Sequence, residues 1–138
     1  MSTTAYTTAH ITEIAPLIES EANEAEWKPV RHYFGIGSFG VNAFVAHEEG
    51  EHVIGEHTEV DESGTRHEEL FFVASGDATF RVEDETFDAP AGTFVYVRDP
   101  ATLRGAVARS AGTTVVAVGG EPGAAYRISP WERKYTGD

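Results

Sequence analysis

The sequence contains no cysteine. Disulfide bonds, thiolate metal ligands and a cysteine nucleophile are therefore excluded, and cysteine usage leaves the redox compartment open. If the protein binds a metal ion, its ligands must come from His, Asp or Glu side chains.

Positive charge is also scarce. The 10 Lys and Arg residues stand against 23 Asp and Glu residues, which gives a formal net charge of −13. Such a chain repels phosphate backbones and anionic lipid, so neither nucleic acid nor a membrane is an expected partner. The sequence has no apolar run of about 18 residues, which a membrane span requires, and no basic N-terminal stretch leading into an apolar one. We expect a soluble cytoplasmic protein.

The length of 138 residues suits one compact domain with its own core. In residues 1–30 we expect a loose arm and a short helix, because apolar residues recur at helical spacing from Ile11 to Glu26. Residues 31–122 are expected to form a β domain. Residues 123–138 are expected to be an extension that packs on it, either as an edge strand or as a cover for one open side.

The sequence after residue 30 is typical of β structure. Short runs rich in Val, Phe and Tyr are separated by Gly, Asp and Pro roughly every ten residues. Such runs joined by tight turns favour an antiparallel sandwich or barrel over a parallel sheet. The predicted strands are 31–36, 40–47, 51–60, 67–74, 77–83, 85–88, 93–98, 103–109 and 113–119.

One glycine-rich segment resembles a nucleotide-binding motif. Residues 35–40 read Gly-Ile-Gly-Ser-Phe-Gly, the pattern G-x-G-x-x-G. In a dinucleotide-binding fold these glycines open a helix whose amide groups hold the pyrophosphate. Here a β pattern follows from Val41, so we expect the glycines to relieve close backbone approach or a bulge between two strands.

Two histidines and two glutamates stand at strand positions in the middle of the chain. Because strand side chains alternate between faces, His57 and Glu59 share one side of their strand, and His67 and Glu69 share one side of the next. If the two strands are neighbours and the four side chains point the same way, they converge. Imidazole and carboxylate groups suit Mn, Fe, Ni or Zn, so the sequence predicts a candidate metal site.

Two segments resemble motifs of the cupin superfamily. The first is Glu69-Leu-Phe-Phe-Val-Ala-Ser-Gly76, which matches the glutamate, six residues and glycine that end the family's first motif. The second contains the turn Ala89-Pro-Ala-Gly92, which matches the family's Pro-x-Gly spacing. The resemblance covers residues 40–120 and implies a small antiparallel β-barrel of jelly-roll type.

The metal ligands that this resemblance implies are only partly present. The family has an H-x-H pair shortly before the glutamate, but an acidic turn at 60–65 occupies that region here. By the resemblance, His57 would take the first ligand position and Glu59 the second. Glu69 matches the ligand glutamate of the family.

The family's remaining ligand, a histidine, falls here on Leu103 or Arg104, and neither side chain binds metal. If Arg104 faces inward, its planar guanidinium suits a carboxylate, either that of Glu69 or that of a bound ligand. Aromatic side chains with a few convergent polar groups are the usual form of a small-molecule site. The candidate aromatic residues of such a pocket are Phe71, Phe80, Phe94, Tyr96 and Trp27.

Three functions are open at the level of sequence. The first is a cupin with a degenerate metal site that binds a small polar metabolite through His57, Glu69 and Arg104. The second is a metal-dependent enzyme of the dioxygenase or isomerase type. The third is a structural or regulatory cupin without a ligand. The resemblance to small cupins also implies a homodimer formed through strand edges.

Overall fold

The computed structural model describes residues 5–17 and 24–138. Within these ranges the strands are β1 (Glu26–Lys28), β2 (Gly40–Val45), β3 (His52–His57), β4 (Glu68–Ser75), β5 (Asp77–Val82), β6 (Glu85–Pro90), β7 (Phe94–Val97), β8 (Arg104–Ala108) and β9 (Thr114–Gly120). The α-helices are α1 (Val30–Phe34) and α2 (Pro130–Thr136). None of the helices in these ranges has the length and apolar character needed to cross a membrane.

The strands form two antiparallel sheets. One has the order β1-β2-β9-β4-β7 and the other the order β3-β8-β5-β6. The predicted antiparallel β fold is confirmed, and this strand order agrees with a jelly roll, in which two Greek keys alternate between two sheets. The expected closed barrel is not formed. In the described ranges the pairing outside the two sheets is limited to two isolated bridges, one between Glu24 and His52 and one between Val60 and Arg66 in the segment that connects β3 to β4.

The predicted N-terminal helix is present in the described ranges only as one 3-10 turn, Ile11–Glu13. Its first amide groups are satisfied by a capping box, in which the His10 side chain accepts from the Thr12 amide and Glu13 accepts from the His10 amide. The remainder of the helical pattern includes Ile18, which lies outside the described residues. The short helix expected in this region is therefore not shown.

The predicted strand at 31–36 is wrong, because helix α1 lies there. The helix ends at Gly35, whose φ of 69° is left-handed and whose amide donates to the carbonyl of Arg31. The aromatic residues Tyr33 and Phe34 favoured a strand in the sequence. In the structure they lie instead in a short helix between the caps Pro29 and Gly35.

Two glycines of the G-x-G-x-x-G segment have structural roles, and one of them, Gly40, relieves the kind of close approach that the sequence predicted. Gly35 ends a helix instead of opening one, so no helix N-terminus faces a pyrophosphate site. Gly40 begins β2, and a Cβ there would lie 2.7 Å from the Tyr126 hydroxyl oxygen. The missing side chain at Gly40 therefore makes room for Tyr126.

The core lies between the two sheets. Phe71 and Val73 on β4 point inward, and the Phe71 ring packs on Phe80 of β5 with a centroid distance of 5.5 Å. Leu70, the residue before Phe71, has the opposite orientation in the alternation and is 36% exposed. The alternation predicted for this strand is thus the one observed, and it places Glu69 on the same inward face as Phe71.

Gly76, the last residue of the first cupin-like motif, is required by its surroundings. Its φ is +76°, and a Cβ there would lie 2.6 Å from the Thr113 Cα atom. Gly92 of the second motif has a φ of +95°, but nothing lies within 4 Å of its Cβ position. We expect Gly76→Ala to lower the free energy of unfolding by about 2–3 kcal/mol through strain and crowding, and Gly92→Ala by only about 1 kcal/mol. Chemical denaturation measures both losses, and equal losses would show that crowding at Thr113 is unimportant.

Candidate functional site

A cavity of about 570 Å³ opens between the two sheets and the C-terminal segment. Its inner wall comes from β2, β3 and β4, and its outer wall from β1 and α2. Its aromatic lining residues are Trp27, Phe44, Phe71, Tyr126, Trp131 and Tyr135. Its acidic lining residues are Glu24, Glu56, Glu59, Asp61, Glu69 and Glu132.

His57 lies at the end of β3 with its Nε2 atom between two carboxylates. This atom is 2.9 Å from Glu59 Oε2 and 3.6 Å from Glu69 Oε1. The other ring nitrogen, Nδ1, donates to the Gly55 carbonyl at 2.8 Å, and that bond fixes the orientation of the ring. Burial disfavours the imidazolium form, but the two carboxylates outweigh it and raise the pKa of His57 to about 10.

Glu59 bridges two histidines. Its Oε2 faces His57, and its Oε1 lies 3.7 Å from His67 Nδ1. Burial alone would raise the pKa of Glu59, but the contacts with His57 and His67 lower it to about 2. The Glu59 side chain is therefore an anion with a defined position near neutral pH.

His67 is buried in the cavity wall and stacks on Tyr126, with ring centroids 5.3 Å apart. Burial disfavours its charged form, but the Glu59 carboxylate raises the pKa of His67 above its usual value. Burial also raises the pKa of Tyr126, to about 12, so its hydroxyl keeps its proton. His67, stacked on Tyr126, thus contacts the Glu59 oxygen that does not face His57.

Arg104 lies at the start of β8 and is completely buried. Its Nη1 donates to Glu69 Oε1 at 2.7 Å, and its other nitrogens donate to the carbonyls of Thr102 and Asp99. The guanidinium therefore binds Glu69, which lines the cavity, but does not line the cavity itself. Of the two partners expected for Arg104, Glu69 or a ligand carboxylate, the structure shows Glu69, and each of the three guanidinium nitrogens donates to a protein acceptor.

Three of the predicted aromatic pocket residues lie elsewhere. Phe80 is completely buried in the core, behind Phe71. On β7 the alternation turns Val95 and Val97 inward, so Phe94 and Tyr96 face outward. The Tyr96 hydroxyl donates to Glu68 on the outer surface. Of the aromatic residues expected in the pocket, Phe71 and Trp27 line the cavity.

The sequence did not reveal the part of the site that comes from α2. Trp131, Glu132 and Tyr135 of this helix all line the cavity. The Trp131 ring packs on Trp27 with a centroid distance of 4.9 Å. The signal that could have predicted this helix is Pro130 at its first turn followed by apolar residues at helical spacing, Trp131 and Tyr135.

Glu132 anchors α2 through a buried polar network. It is 2% exposed, and its Oε2 accepts from Arg31 Nε at 2.5 Å. Asn42 Nδ2 donates to the other Glu132 oxygen, and Asn42 Oδ1 accepts from the indole Nε1 of Trp27 at 2.8 Å. Arg31 also contacts Asp138 after the helix. The position of the cavity's outer wall is thus set by buried hydrogen bonds.

His57, Glu59 and Glu69 form a group that could hold a metal ion, since one ligand atom from each lies within 4.8 Å of the others. The carboxylates of Glu59 and Glu69 both reach His57 although β3 and β4 belong to different sheets, so this convergence does not need the two strands to be neighbours. The bond from His57 Nδ1 to a backbone carbonyl is the outer contact typical of metal-binding histidines, and it leaves Nε2 as the ligand atom. The donor set therefore fits a divalent transition metal.

Comparisons with known proteins match the fold of the chain only. No protein-family model matches it, and no curated protein matches its sequence. Among solved structures, KdgF from Halomonas sp. is 18% identical with a TM-score of 0.62, over 83% of this chain and 88% of that one. A predicted oxalate decarboxylase from Thermotoga maritima is 15% identical with a TM-score of 0.63, over 82% of this chain and 97% of that one.

A third similar structure is named for the fold itself. The cupin 2 conserved barrel domain protein from Salinispora arenicola is 15% identical, with a TM-score of 0.61 over 84% of this chain and 88% of that one. These likenesses and the strand order show that the chain has the cupin fold, as its two motifs indicated. Because this fold supports many activities, function has to be argued from the cavity.

Proposed function

We propose that this protein is a small-molecule-binding cupin whose cavity holds one divalent transition-metal ion, Mn, Fe, Ni or Zn, on His57, Glu59 and Glu69. The observation that supports it best is the orientation of His57, with Nδ1 bound to the backbone and Nε2 directed at two carboxylates that line the cavity. When bound, such an ion would polarise an oxygen atom of the ligand.

The residues around this group support the same proposal. Arg104 fixes one carboxylate, Glu69, and His67 contacts the other, Glu59. Three protein ligands leave further coordination positions for water or a ligand, as in catalytic metal sites. Phe71 and Trp27 supply the apolar wall that excludes water from a bound molecule.

A metal-dependent enzyme of the dioxygenase or isomerase type is the second candidate. It is favoured by the position of the three ligand residues, which line an accessible cavity instead of a closed structural site. A similar structure, the predicted oxalate decarboxylase from Thermotoga maritima, has the name of an enzyme. Turnover of a substrate by the metal-loaded protein, lost in Glu59→Gln, would favour this candidate over binding alone.

Metal binding is tested by elemental analysis of the purified protein and by thermal unfolding with Mn²⁺, Fe²⁺, Ni²⁺ or Zn²⁺ added. We expect one ion per chain and a stabilisation of about 2.7 kcal/mol when the ion is at a hundred times its dissociation constant. His57→Gln should abolish both effects. The matched control is His47→Gln, because the His47 side chain is 53% exposed and does not line the cavity.

The same two measurements can also contradict the metal site. Protein without bound metal, and without a thermal shift for any of the four ions, would contradict the metal site. The same cluster would then be a balanced ion-pair network, in which His57 and Arg104 neutralise Glu59 and Glu69.

We also propose that two copies of the chain pair through β7. This strand ends its sheet, and it exposes Phe94 (65%) and Tyr96 (46%) beside Leu70. A strand edge next to exposed apolar side chains is a surface that a second copy can cover. Sedimentation velocity should show a dimer that Phe94→Lys dissociates, while Tyr33→Lys, a change at another exposed aromatic residue, leaves it intact. A monomeric wild-type protein would exclude this pairing.

A further inference from the structure

The charge of the cavity wall indicates which ligands it can accept. Among the described residues, six carboxylates line the cavity, and the basic side chains that line it are the two histidines, His57 and His67. Arg31 and Arg104 lie behind the wall, 4% and 0% exposed, where they hold Glu132 and Glu69. Even with both histidines and both arginines counted as positive, six carboxylates against four positive groups leave two negative charges.

A bound metal would not reverse this balance. A divalent ion that replaces the proton of His57 adds one positive charge in total, so one negative charge still remains among these groups. An anionic ligand would have to enter a cavity of the same sign, where few water molecules screen the repulsion. The wall is therefore unsuited to a carboxylate or a phosphate that relies on protein cations.

Two of the carboxylates without a buried cationic partner among the described residues, Glu24 and Glu56, are exposed and form what we call the rim of the cavity. Glu59, Glu69 and Glu132 each have a cationic partner in the protein. Glu24 lies over β3, where its carboxylate oxygens are 3.8 and 3.9 Å from the Cβ position of Gly55. Glu56, the next residue of the strand, is 3.7 Å from Arg81, but both side chains are about half exposed, so solvent weakens this pair.

The wall formed by β1 and α2 is aromatic. Trp27 packs against Trp131 and Tyr135, with centroid distances of 4.9 and 5.9 Å and interplanar angles of 54° and 74°. Trp131 is 44% exposed and Tyr135 is 41% exposed, so both retain surface that a ligand could cover. The faces of Trp and Tyr rings attract cations, most strongly where water is excluded.

We propose that the ligand of this cavity is a small organic cation, a molecule with an amine or quaternary ammonium group on an apolar or planar body. The acidic rim at Glu24 and Glu56 supplies the charge complementarity, and the aromatic wall covers the apolar part. This inference rests on the proposed function only in taking the cavity as the binding site, and it does not depend on a bound metal.

The test uses three probes that share one aromatic body and differ in charge: 2-phenylethylamine, 2-phenylethanol and 3-phenylpropionate. Each is titrated by isothermal calorimetry into metal-free and metal-loaded protein. We expect the amine to bind about threefold to thirtyfold more tightly than the alcohol, and the carboxylate to bind least. The preference for the amine should decrease as salt is added, because its source is electrostatic.

Two variants locate the effect. Glu24→Gln removes a rim charge and Trp131→Leu removes an aromatic face, and each should weaken amine binding severalfold. Glu85→Gln is the matched control, since Glu85 is exposed on β6 and does not line the cavity. Equal or tighter binding of the alcohol or the carboxylate, or no binding of any probe, would overturn the inference. An unchanged amine affinity in both variants would also overturn it, because the probe would then bind elsewhere.

The metal-binding proposal and the ligand-class proposal can be contradicted independently of each other. If the protein binds no metal but prefers the amine, the metal site is wrong and the ligand class stands. If the protein binds metal but prefers the carboxylate, the metal site stands and the ligand class is wrong.

Discussion

Replacing Glu69 by alanine is expected to lower the free energy of unfolding of the metal-free protein by about 3–5 kcal/mol. Arg104 has no exposed surface, and Glu69 is its only anionic partner within hydrogen-bonding distance among the described residues. Without this carboxylate a buried guanidinium charge keeps only the neutral carbonyls of Thr102 and Asp99. Removing one partner of a buried ion pair is costly because the other charge stays buried.

Two controls separate this effect from a general loss of charge. Glu69→Gln should cost less, because its amide oxygen can still accept the hydrogen bond from Arg104 Nη1, although the guanidinium charge loses its anionic partner. Glu68→Ala, at the adjacent residue on the outer face, removes only an exposed hydrogen bond from Tyr96 and should cost less than about 1 kcal/mol. Urea denaturation in the presence of a chelator measures all three. Similar losses for Glu68→Ala and Glu69→Ala would show that the buried pair has no special role.

Glu132→Ala is the second substitution expected to have a large effect, again about 3–5 kcal/mol. It leaves Arg31, which is 4% exposed, with only the partly exposed Asp138 as an anionic partner among the described residues. It also removes an acceptor from Asn42, which in turn holds Trp27. We therefore expect α2 to loosen from the cavity before the two sheets unfold.

Tryptophan fluorescence gives a direct measure of this loosening. The chain has two tryptophans, Trp27 on β1 and Trp131 on α2, and they pack on each other where the helix contacts the strand. Glu132→Ala should shift the emission to longer wavelength under conditions in which circular dichroism still shows the β-sheets. Glu132→Gln keeps one acceptor oxygen, which can still accept from Arg31 or from Asn42 but not replace both carboxylate oxygens, and should shift it less. Lys134→Ala, at an exposed position of the same helix, should not shift it. Unchanged emission in Glu132→Ala would show that other contacts hold the helix.

Much of the inner half of the site could be predicted from the sequence. Strand alternation and the glutamate-to-glycine spacing placed Glu69 on an inward face, and the displaced His57 and Glu59 lie beside it. The local pattern was sufficient here because a strand has a period of two residues and tight turns limit where it begins and ends. The same reasoning failed for Tyr96, since alternation fixes two faces but does not say which of them is the core.

Composition and strand periodicity are local properties, so the residues alone were enough to predict an acidic chain without thiolate chemistry, made of short antiparallel strands with cupin-like motifs. The folded chain was needed to show that β3 and β4 lie in opposite sheets, that Arg104 donates to Glu69 and two carbonyls, and that α2 forms part of the outer wall. These contacts join residues far apart in the chain, such as Arg31 and Glu132. Their pairing depends on burial and on hydrogen-bond geometry, which only the folded chain creates.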